Sequence, residues 1–93
     1  MIRSFSDPEA EKIWNGQRSS KLPPDIQSRA LNLFKMINAS VNQSDFRNPP
    51  GNRLHALTDD RTGQHSVSIN MKWRICFVWK DGDAHDVEIV DYH

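Results

Sequence analysis

The sequence has little cysteine and no long apolar run. Its 93 residues include a single cysteine, Cys76, which excludes an internal disulfide and a cysteine-rich zinc site. No apolar stretch approaches the roughly 20 residues needed to cross a bilayer, and residues 1–5 lack the apolar core of a signal peptide. We therefore expect one cytoplasmic domain over residues 1–93, with Cys76 as a small buried side chain.

The chain also lacks an excess of charge of either sign. Twelve basic and 12 acidic residues give a net charge of zero. A protein that binds RNA only through the negative charge of the RNA phosphates is usually basic. The charges are distributed unevenly, because six cations and only two acids stand between positions 47 and 80. The cations are Arg47, Arg53, Arg61, Lys72, Arg74 and Lys80. A locally positive surface is thus compatible with a neutral protein, although the charge pattern gives it only weak support.

Signals for a metal or nucleotide site are absent from the sequence. No two of the four histidines have the i, i+4 spacing of a helical zinc site, and no glycine-rich loop precedes a helix as a phosphate cradle requires. We therefore infer no metal and no cofactor. His65 alternates with apolar residues and is expected to be a partly buried ring, whereas His85 is expected to be solvated.

Two helices are predicted in the first half of the chain. Asp7 is a suitable cap for a helix over residues 7–16, with Pro8 at its first position and Gly16 at its end. A second helix opens near Pro24 and carries apolar residues at helical spacing. This stripe comprises Ile26, Ala30, Leu33, Phe34, Ile37 and Val41.

After a polar loop over residues 42–52, the apolar period changes to two. The pattern predicts strands over residues 53–57, 64–69, 72–80 and 84–92, with a tight connection at Asn70–Met71 and a two-residue hairpin at Asp81–Gly82. Two helices followed by consecutive strands predict an α+β fold, in which the helices pack on one face of a small antiparallel sheet.

The hairpin also predicts a register. If Asp81 and Gly82 form the loop, paired residues have numbers that sum to 163, so that Lys72 faces Asp91, Arg74 faces Ile89 and Cys76 faces Val87. Side chains alternate along strands, and the open face is then predicted to carry Lys72, Arg74, Asp91 and His93. The helices would receive Trp73, Ile75, Phe77 and Trp79. A slip of one residue would move Asp91 and His93 to the other face.

The chain ends in a carboxylate, a phenol and an imidazole, Asp91-Tyr92-His93, which suit acid–base chemistry on a phosphodiester. The guanidinium of Arg74 matches phosphate geometry. Simpler interpretations stay open: Arg74 as an exposed strand residue, Lys72–Asp91 as a surface ion pair, and His93 as a frayed end. If Leu54 and Ala56 face the helices, then Arg53 and His55 join the open face.

Several segments together resemble the HigB-like toxins of the RelE/ParE superfamily of bacterial toxin–antitoxin systems. They are Asn52-Arg53-Leu54, Asp60-Arg61, Gly63-Gln64, Trp73-Arg74-Ile75-Cys76-Phe77 and Val87-Glu88-Ile89-Val90-Asp91-Tyr92-His93. The resemblance covers nearly the whole chain and implies two N-terminal helices on a small antiparallel sheet. It also implies an endoribonuclease that cuts messenger RNA in the ribosomal A site without a metal. A helix-turn-helix, HigA-like antitoxin would silence it.

The resemblance further implies roles for particular residues. Catalytic candidates are Arg74, Asp91, Tyr92, His93 and His55, and substrate-binding candidates are Lys72, Arg61, Arg53 and Asn70. Many relatives carry Glu where this chain has His55, and some carry Lys where it has Thr58. Two other functions remain open: a ParE-like poison that binds DNA gyrase without catalysis, and a small RNA-binding module, which would call for a more basic sheet face.

Overall fold

The computed structural model describes residues 1–40 and 64–91, and the backbone of residues 55–56. It contains the helices α1 (Pro8–Trp14) and α2 (Pro24–Ala39) and the strands β1 (His55–Ala56), β2 (Gln64–Ser68), β3 (Trp73–Lys80) and β4 (Asp83–Asp91). The strands form one antiparallel sheet in the order β1-β2-β3-β4. The predicted α+β fold is confirmed. Predictions for Val41, Arg53, Thr58, Arg61, Tyr92 and His93 lie outside the described residues.

The caps of α1 follow the predicted chemistry. Asp7 accepts a hydrogen bond from the backbone N–H of Glu9 at 2.9 Å, and Pro8 occupies the first turn. After Asn15 the backbone turns at Gly16, which has a φ of +83° that favours glycine. Asp7 and Gly16, the residues from which the ends of this helix were predicted, therefore lie at its N-terminal cap and just after its C-terminal end.

The stripe of α2 packs against the sheet. Its buried residues are Ile26, Ala30, Leu33, Phe34 and Ile37, and they share one core with Val67, Ile69, Ile75, Phe77, Ala84, Val87 and Ile89. Phe34 has no exposed surface and meets the rings of Phe5 and Trp14 edge-on, with centroids 5.7 and 6.4 Å away. The predicted helix-facing side of β3 is confirmed. Neither of the described helices is long and apolar enough to cross a membrane.

The β3–β4 hairpin begins in the predicted register. Asp81 and Gly82 have φ values of +55° and +80°, the positive values that a type I′ two-residue loop requires. Lys80 pairs with Asp83 and Val78 with His85, as the sum of 163 predicts. The loop thus sets the pairing over the first part of the hairpin.

Beyond that point the predicted register is wrong by one residue. Cys76 pairs with Glu88, Arg74 with Val90, and Trp73 with Asp91. The cause is a β-bulge between Cys76 and Val78, where β4 carries one extra residue. Asp86 in this stretch has a φ of +54°. The slip moves Asp91 away from the face of Arg74 and onto the face of Trp73, so the predicted single cluster of Lys72, Arg74 and Asp91 on the open face is not formed.

The bulge is stabilised by the first residues of the chain, which run parallel to β4. Ile2 and Phe5 form bridges with Ala84 and Val87. Ser4 Oγ accepts from the Asp86 N–H at 2.9 Å, and Ser6 Oγ donates to the Asp86 carbonyl at 3.2 Å. This pairing escaped sequence reasoning because residues 1–6 show no alternation of apolar and polar residues.

Candidate active site

The bulge divides the candidate residues of β3 and β4 into two groups. The first group lies at the rim of the sheet, where β3 starts and β4 ends. Lys72 Nζ is 3.7 Å from Asp91 Oδ2 and 5.8 Å from the ring centre of Trp73. The Lys72 side chain is 56% and the Asp91 side chain 36% exposed, so water screens this ion pair and it contributes little to stability.

The second group lies on the face away from the helices and centres on Arg74. This half-buried residue pairs with Ser68 on one side and Val90 on the other. Its Nη1 lies 3.5 Å from Ser66 Oγ, so the guanidinium leans across β2. Ser66 in turn holds the register position opposite His55. Arg74 and the backbone position of His55 are therefore separated only by β2.

Polar side chains on this face are unusually well covered. Ser66, Ser68 and Cys76 are 2%, 6% and 3% exposed, and the burial predicted for Cys76 is confirmed. A charge beside such a surface interacts with an anion more strongly than it would in open water, because the local dielectric constant is lower. The face that the sequence predicts to be open is therefore covered at these positions, and half-buried Arg74 is the cation beside them.

Asn70 has a structural task in the β2–β3 turn. Its Oδ1 accepts hydrogen bonds from the N–H groups of Lys72 and Trp73, both at 2.8 Å, and Ser68 Oγ donates to its carbonyl at 2.7 Å. The predicted tight connection is confirmed. The NH₂ group of Asn70 makes no hydrogen bond with any residue that the structure describes, so it is the part of this side chain that a substrate could contact.

Sequence reasoning missed two residues near these groups. Ser66 contacts Arg74, and Arg29 of α2 donates through Nε to the carbonyl of Ile69 at 2.7 Å. The two-residue alternation of β2 and the tight turn together place Ser66 on the face of Arg74, so Ser66 was within reach of the sequence. The contact of Arg29 depends on how α2 docks on the sheet, for which no sequence signal was present.

The histidines of β2 and β4 occupy register positions further along the sheet, His65 opposite Phe77 and His85 opposite Val78. His65 is 7% exposed, as predicted, and its ring centre is 6.0 Å from that of Phe77. His85, which the sequence predicts to be solvated, is instead half-buried near the hairpin. Within the described ranges no three side chains of His, Cys, Asp or Glu are grouped so that they could hold a metal ion.

The chain is similar in sequence to known bacterial toxins. A family model described as "RelE-like toxin of type II toxin-antitoxin system HigB" matches residues 3–93. "Toxin HigB-1" of Vibrio cholerae serotype O1 is 31% identical over 85 residues, which are 90% of each chain. "Endoribonuclease HigB" of Proteus vulgaris is 28% identical over 93 residues and covers both chains completely.

The fold recurs in a solved structure. The heterotetrameric YoeB–YefM toxin–antitoxin complex from Staphylococcus aureus contains a chain that superposes with a TM-score of 0.62 at 19% identity, covering 100% of this chain and 98% of that one. At this identity the likeness concerns the fold alone.

Proposed function

Because the chain belongs to the HigB family of RelE-like toxins from type II toxin–antitoxin systems, we propose that it is an endoribonuclease that cleaves messenger RNA on the ribosome. The full-length relative from Proteus vulgaris bears the name of an endoribonuclease, which supports this reaction type. The observation that carries the proposal is the placement of Arg74. Its guanidinium lies on the face away from the helices, beside the buried hydroxyl of Ser66.

In the proposed reaction, the 2′-hydroxyl of one nucleotide attacks the adjacent 3′-phosphate. The P–O bond to the next 5′-oxygen breaks, which leaves a 2′,3′-cyclic phosphate and a 5′-hydroxyl. A base must take the 2′-hydroxyl proton, an acid must protonate the 5′-oxygen, and a cation must stabilise the anionic phosphorane between these steps. The nucleophile and the leaving group both belong to the RNA, so protein groups need only bind, orient and move protons.

We assign the stabilising cation to Arg74. The planar guanidinium can donate two parallel hydrogen bonds to phosphate oxygens. Ser66 Oγ steadies it from β2. His55 and His93 are the proposed acid and base, and the register position of His55 opposite Ser66 supports its assignment. Tyr92 is proposed to position the scissile phosphate.

The pair of Lys72 and Asp91 has a different proposed role from the one that the uniform register predicts. Asp91 pairs with Trp73 rather than with a residue on the face of Arg74. We propose that Asp91 orients Tyr92 and His93, which follow it in the chain, and that Lys72 binds RNA at the rim. Arg53 and Arg61 remain proposed substrate contacts.

The proposed partners are a helix-turn-helix antitoxin of the HigA type and the ribosomal A site, and the proposed location is the cytoplasm. Membership of a toxin–antitoxin family supports an antitoxin as such. The structure of the YoeB–YefM complex records antitoxin pairing for that protein.

The test is the cleavage of a translated messenger RNA by Arg74→Ala, read by primer extension. We expect the rate to fall about 10²- to 10³-fold, because a cation that stabilises the transition state is lost. Lys80→Ala is the matched control. It removes one cation from the exposed end of the same strand and should cleave as the wild type does.

Three outcomes would contradict the proposal. Cleavage by Arg74→Ala at the wild-type rate would remove Arg74 from the site. Growth arrest with intact transcripts would replace the endoribonuclease with a binding poison, such as an inhibitor of DNA gyrase. Arrest that persists when a helix-turn-helix protein encoded next to this gene is co-expressed would exclude that protein as the antitoxin.

A further inference from the structure

Arg29 is an unassigned cation fixed at the turn end of the sheet. Its Nε donates to the carbonyl of Ile69 at 2.7 Å. Its two terminal nitrogens make no hydrogen bond or ion pair with any residue that the structure describes, and the residue is exposed. A guanidinium anchored through Nε keeps two N–H₂ groups in a defined orientation toward solvent.

The turn is arranged to receive this contact. In a regular antiparallel pair, Ile69 and Trp73 would exchange two backbone hydrogen bonds. Only the bond from Ile69 N to Trp73 O is made, at 2.9 Å. The Trp73 N–H donates to Asn70 Oδ1 instead, which leaves the Ile69 carbonyl to Arg29. Asn70 Oδ1 thus replaces the Ile69 carbonyl as the acceptor for the Trp73 N–H, and the Ile69 carbonyl can accept from Arg29 of α2.

Among the described residues around this turn, cations outnumber carboxylates. Arg29 stands on the helix side, Lys72 lies at the rim and Arg74 lies on the opposite face. Asp91 is the acidic partner of Lys72 there. Among the residues that the structure describes here, these three cations stand against Asp91 and against Asp25, which lies one helical turn before Arg29. The described residues thus carry a small excess of positive charge at this end of the sheet, although the whole chain has a net charge of zero. Such a local field suits a polyanion.

We propose that Arg29 binds a backbone phosphate of the RNA that flanks the linkage held by Arg74. The RNA strand would cross the turn end of the sheet, from the face of Arg74 to the side of α2. This inference rests on the proposed endoribonuclease function and adds a phosphate contact from the helical layer. An anchored guanidinium loses little freedom when it binds, which favours the contact.

The test separates this role from a purely structural one. In Arg29→Lys, the ammonium can replace Nε at the Ile69 carbonyl, but its other N–H donors stay on the same nitrogen and do not extend outward as the two terminal NH₂ groups of Arg29 do. We expect an unchanged thermal midpoint and an unchanged maximal single-turnover rate on ribosome-bound messenger RNA. The toxin concentration for half-maximal rate should rise about three- to tenfold, because a charge-assisted contact is lost.

Arg29→Gln and Lys35→Gln provide the matched charge controls. Both remove one exposed cation from α2, but only the first should weaken binding. The slope of log affinity against log salt should fall by about 0.7 for Arg29→Gln, the value for one phosphate on a single strand. It should stay at the wild-type value for Lys35→Gln.

The wild type and the Arg29 variants together separate a failure of the Arg29 proposal from a failure of the endoribonuclease proposal. If the wild type does not cleave RNA, the endoribonuclease proposal fails. If the wild type cleaves and Arg29→Lys matches it in half-maximal concentration, Arg29 is only an anchor and the inference is overturned. The inference is also overturned if Arg29→Lys weakens inhibition by the antitoxin and leaves cleavage unchanged.

Discussion

Asp86 is the residue whose backbone changes the site most. Its φ of +54° lies in the left-handed region, which disfavours a residue with a side chain by about 1–2 kcal/mol. Hydrogen bonds from Asp86 N to Ser4 and from Ser6 to its carbonyl compensate for this conformation. One residue thus determines on which face Asp91 lies, some five residues further along the strand.

The free energies of unfolding of variants at Asp86 should show this strain. Both hydrogen bonds are made by its backbone, so changing the side chain preserves them. Asp86→Gly should therefore be more stable than Asp86→Ala by about 1 kcal/mol, since glycine adopts positive φ without steric penalty. Urea unfolding of both variants measures the difference.

The same pair of substitutions at Lys80 is the control for Asp86. Lys80 is exposed near the end of β3, where glycine should be the less stable residue because of its larger conformational freedom in the unfolded chain. If Asp86→Ala were also more stable than Asp86→Gly, the result would contradict a left-handed backbone conformation at position 86.

At the scale of elements, the β2–β3 turn connects the helical layer with both candidate groups. Arg29 of α2 contacts the carbonyl at the end of β2, and Asn70 fixes the start of β3. Lys72 and Arg74 follow directly in the chain. The position of these cations therefore depends on the turn, and through the turn on the docking of α2.

Substitution of Asn70 tests this dependence. Asn70→Ala leaves two backbone N–H groups without their acceptor and should lower the free energy of unfolding by about 1 kcal/mol. Asn70→Asp keeps the accepting oxygen and should retain nearly the wild-type stability in urea unfolding. Equal losses in both variants would contradict the turn function of the oxygen.

The Asp variant also reports on the substrate. It lacks the NH₂ group, which is the part of Asn70 free to contact RNA. The variant also adds a negative charge that repels RNA, and this effect is screened by salt. Cleavage that stays slow at raised salt and unchanged stability would support the predicted substrate contact, whereas wild-type cleavage would restrict Asn70 to the turn.

At the scale of the whole molecule, an ionic contact joins the chain start to the sheet edge. Asp83 accepts from Arg3 Nε at 3.0 Å and lies 3.2 Å from the α-ammonium of Met1. The hydrogen bond from Arg3, with the ammonium beside it, lowers the pKa of Asp83 below its usual value of 3.8. This contact helps to hold residues 1–6 along β4 and thereby supports the bulge.

The lowered pKa of Asp83 predicts a dependence of stability on pH. The unfolded chain binds the proton more tightly, so the contribution of Asp83 is complete above about pH 4 and is lost as the pH falls through the folded pKa. Thermal midpoints of wild type and Asp83→Asn should therefore differ most near neutral pH. The difference should shrink in acid, and a constant difference would exclude this contact as its source.

A second carboxylate will remain acid-sensitive in that variant. Ser19 Oγ donates to Glu9 at 2.5 Å, and this hydrogen bond lowers the pKa of Glu9 from its usual value of 4.5. The decrease of the thermal midpoint at acid pH should therefore be smaller in Asp83→Asn than in the wild type, but it should not disappear.

The sequence by itself determined the elements and their layers. Local chemistry specified the Asp7 cap, the stripe of α2 and the Asp81–Gly82 loop, because each depends on neighbours within one or two turns of the chain. The α+β fold and the apolar face of β3 follow from these periodicities. The family resemblance could likewise be recognised from short segments of the sequence alone.

Only the tertiary structure decided how the candidate site is arranged. The bulge depends on Ser4 and Ser6 meeting β4 some 80 residues later in the chain, and the contact of Arg29 depends on the docking of α2. Such long-range contacts leave no periodic trace in a sequence. Since alternation along a strand reverses with every inserted residue, one bulge was enough to separate Asp91 from Arg74.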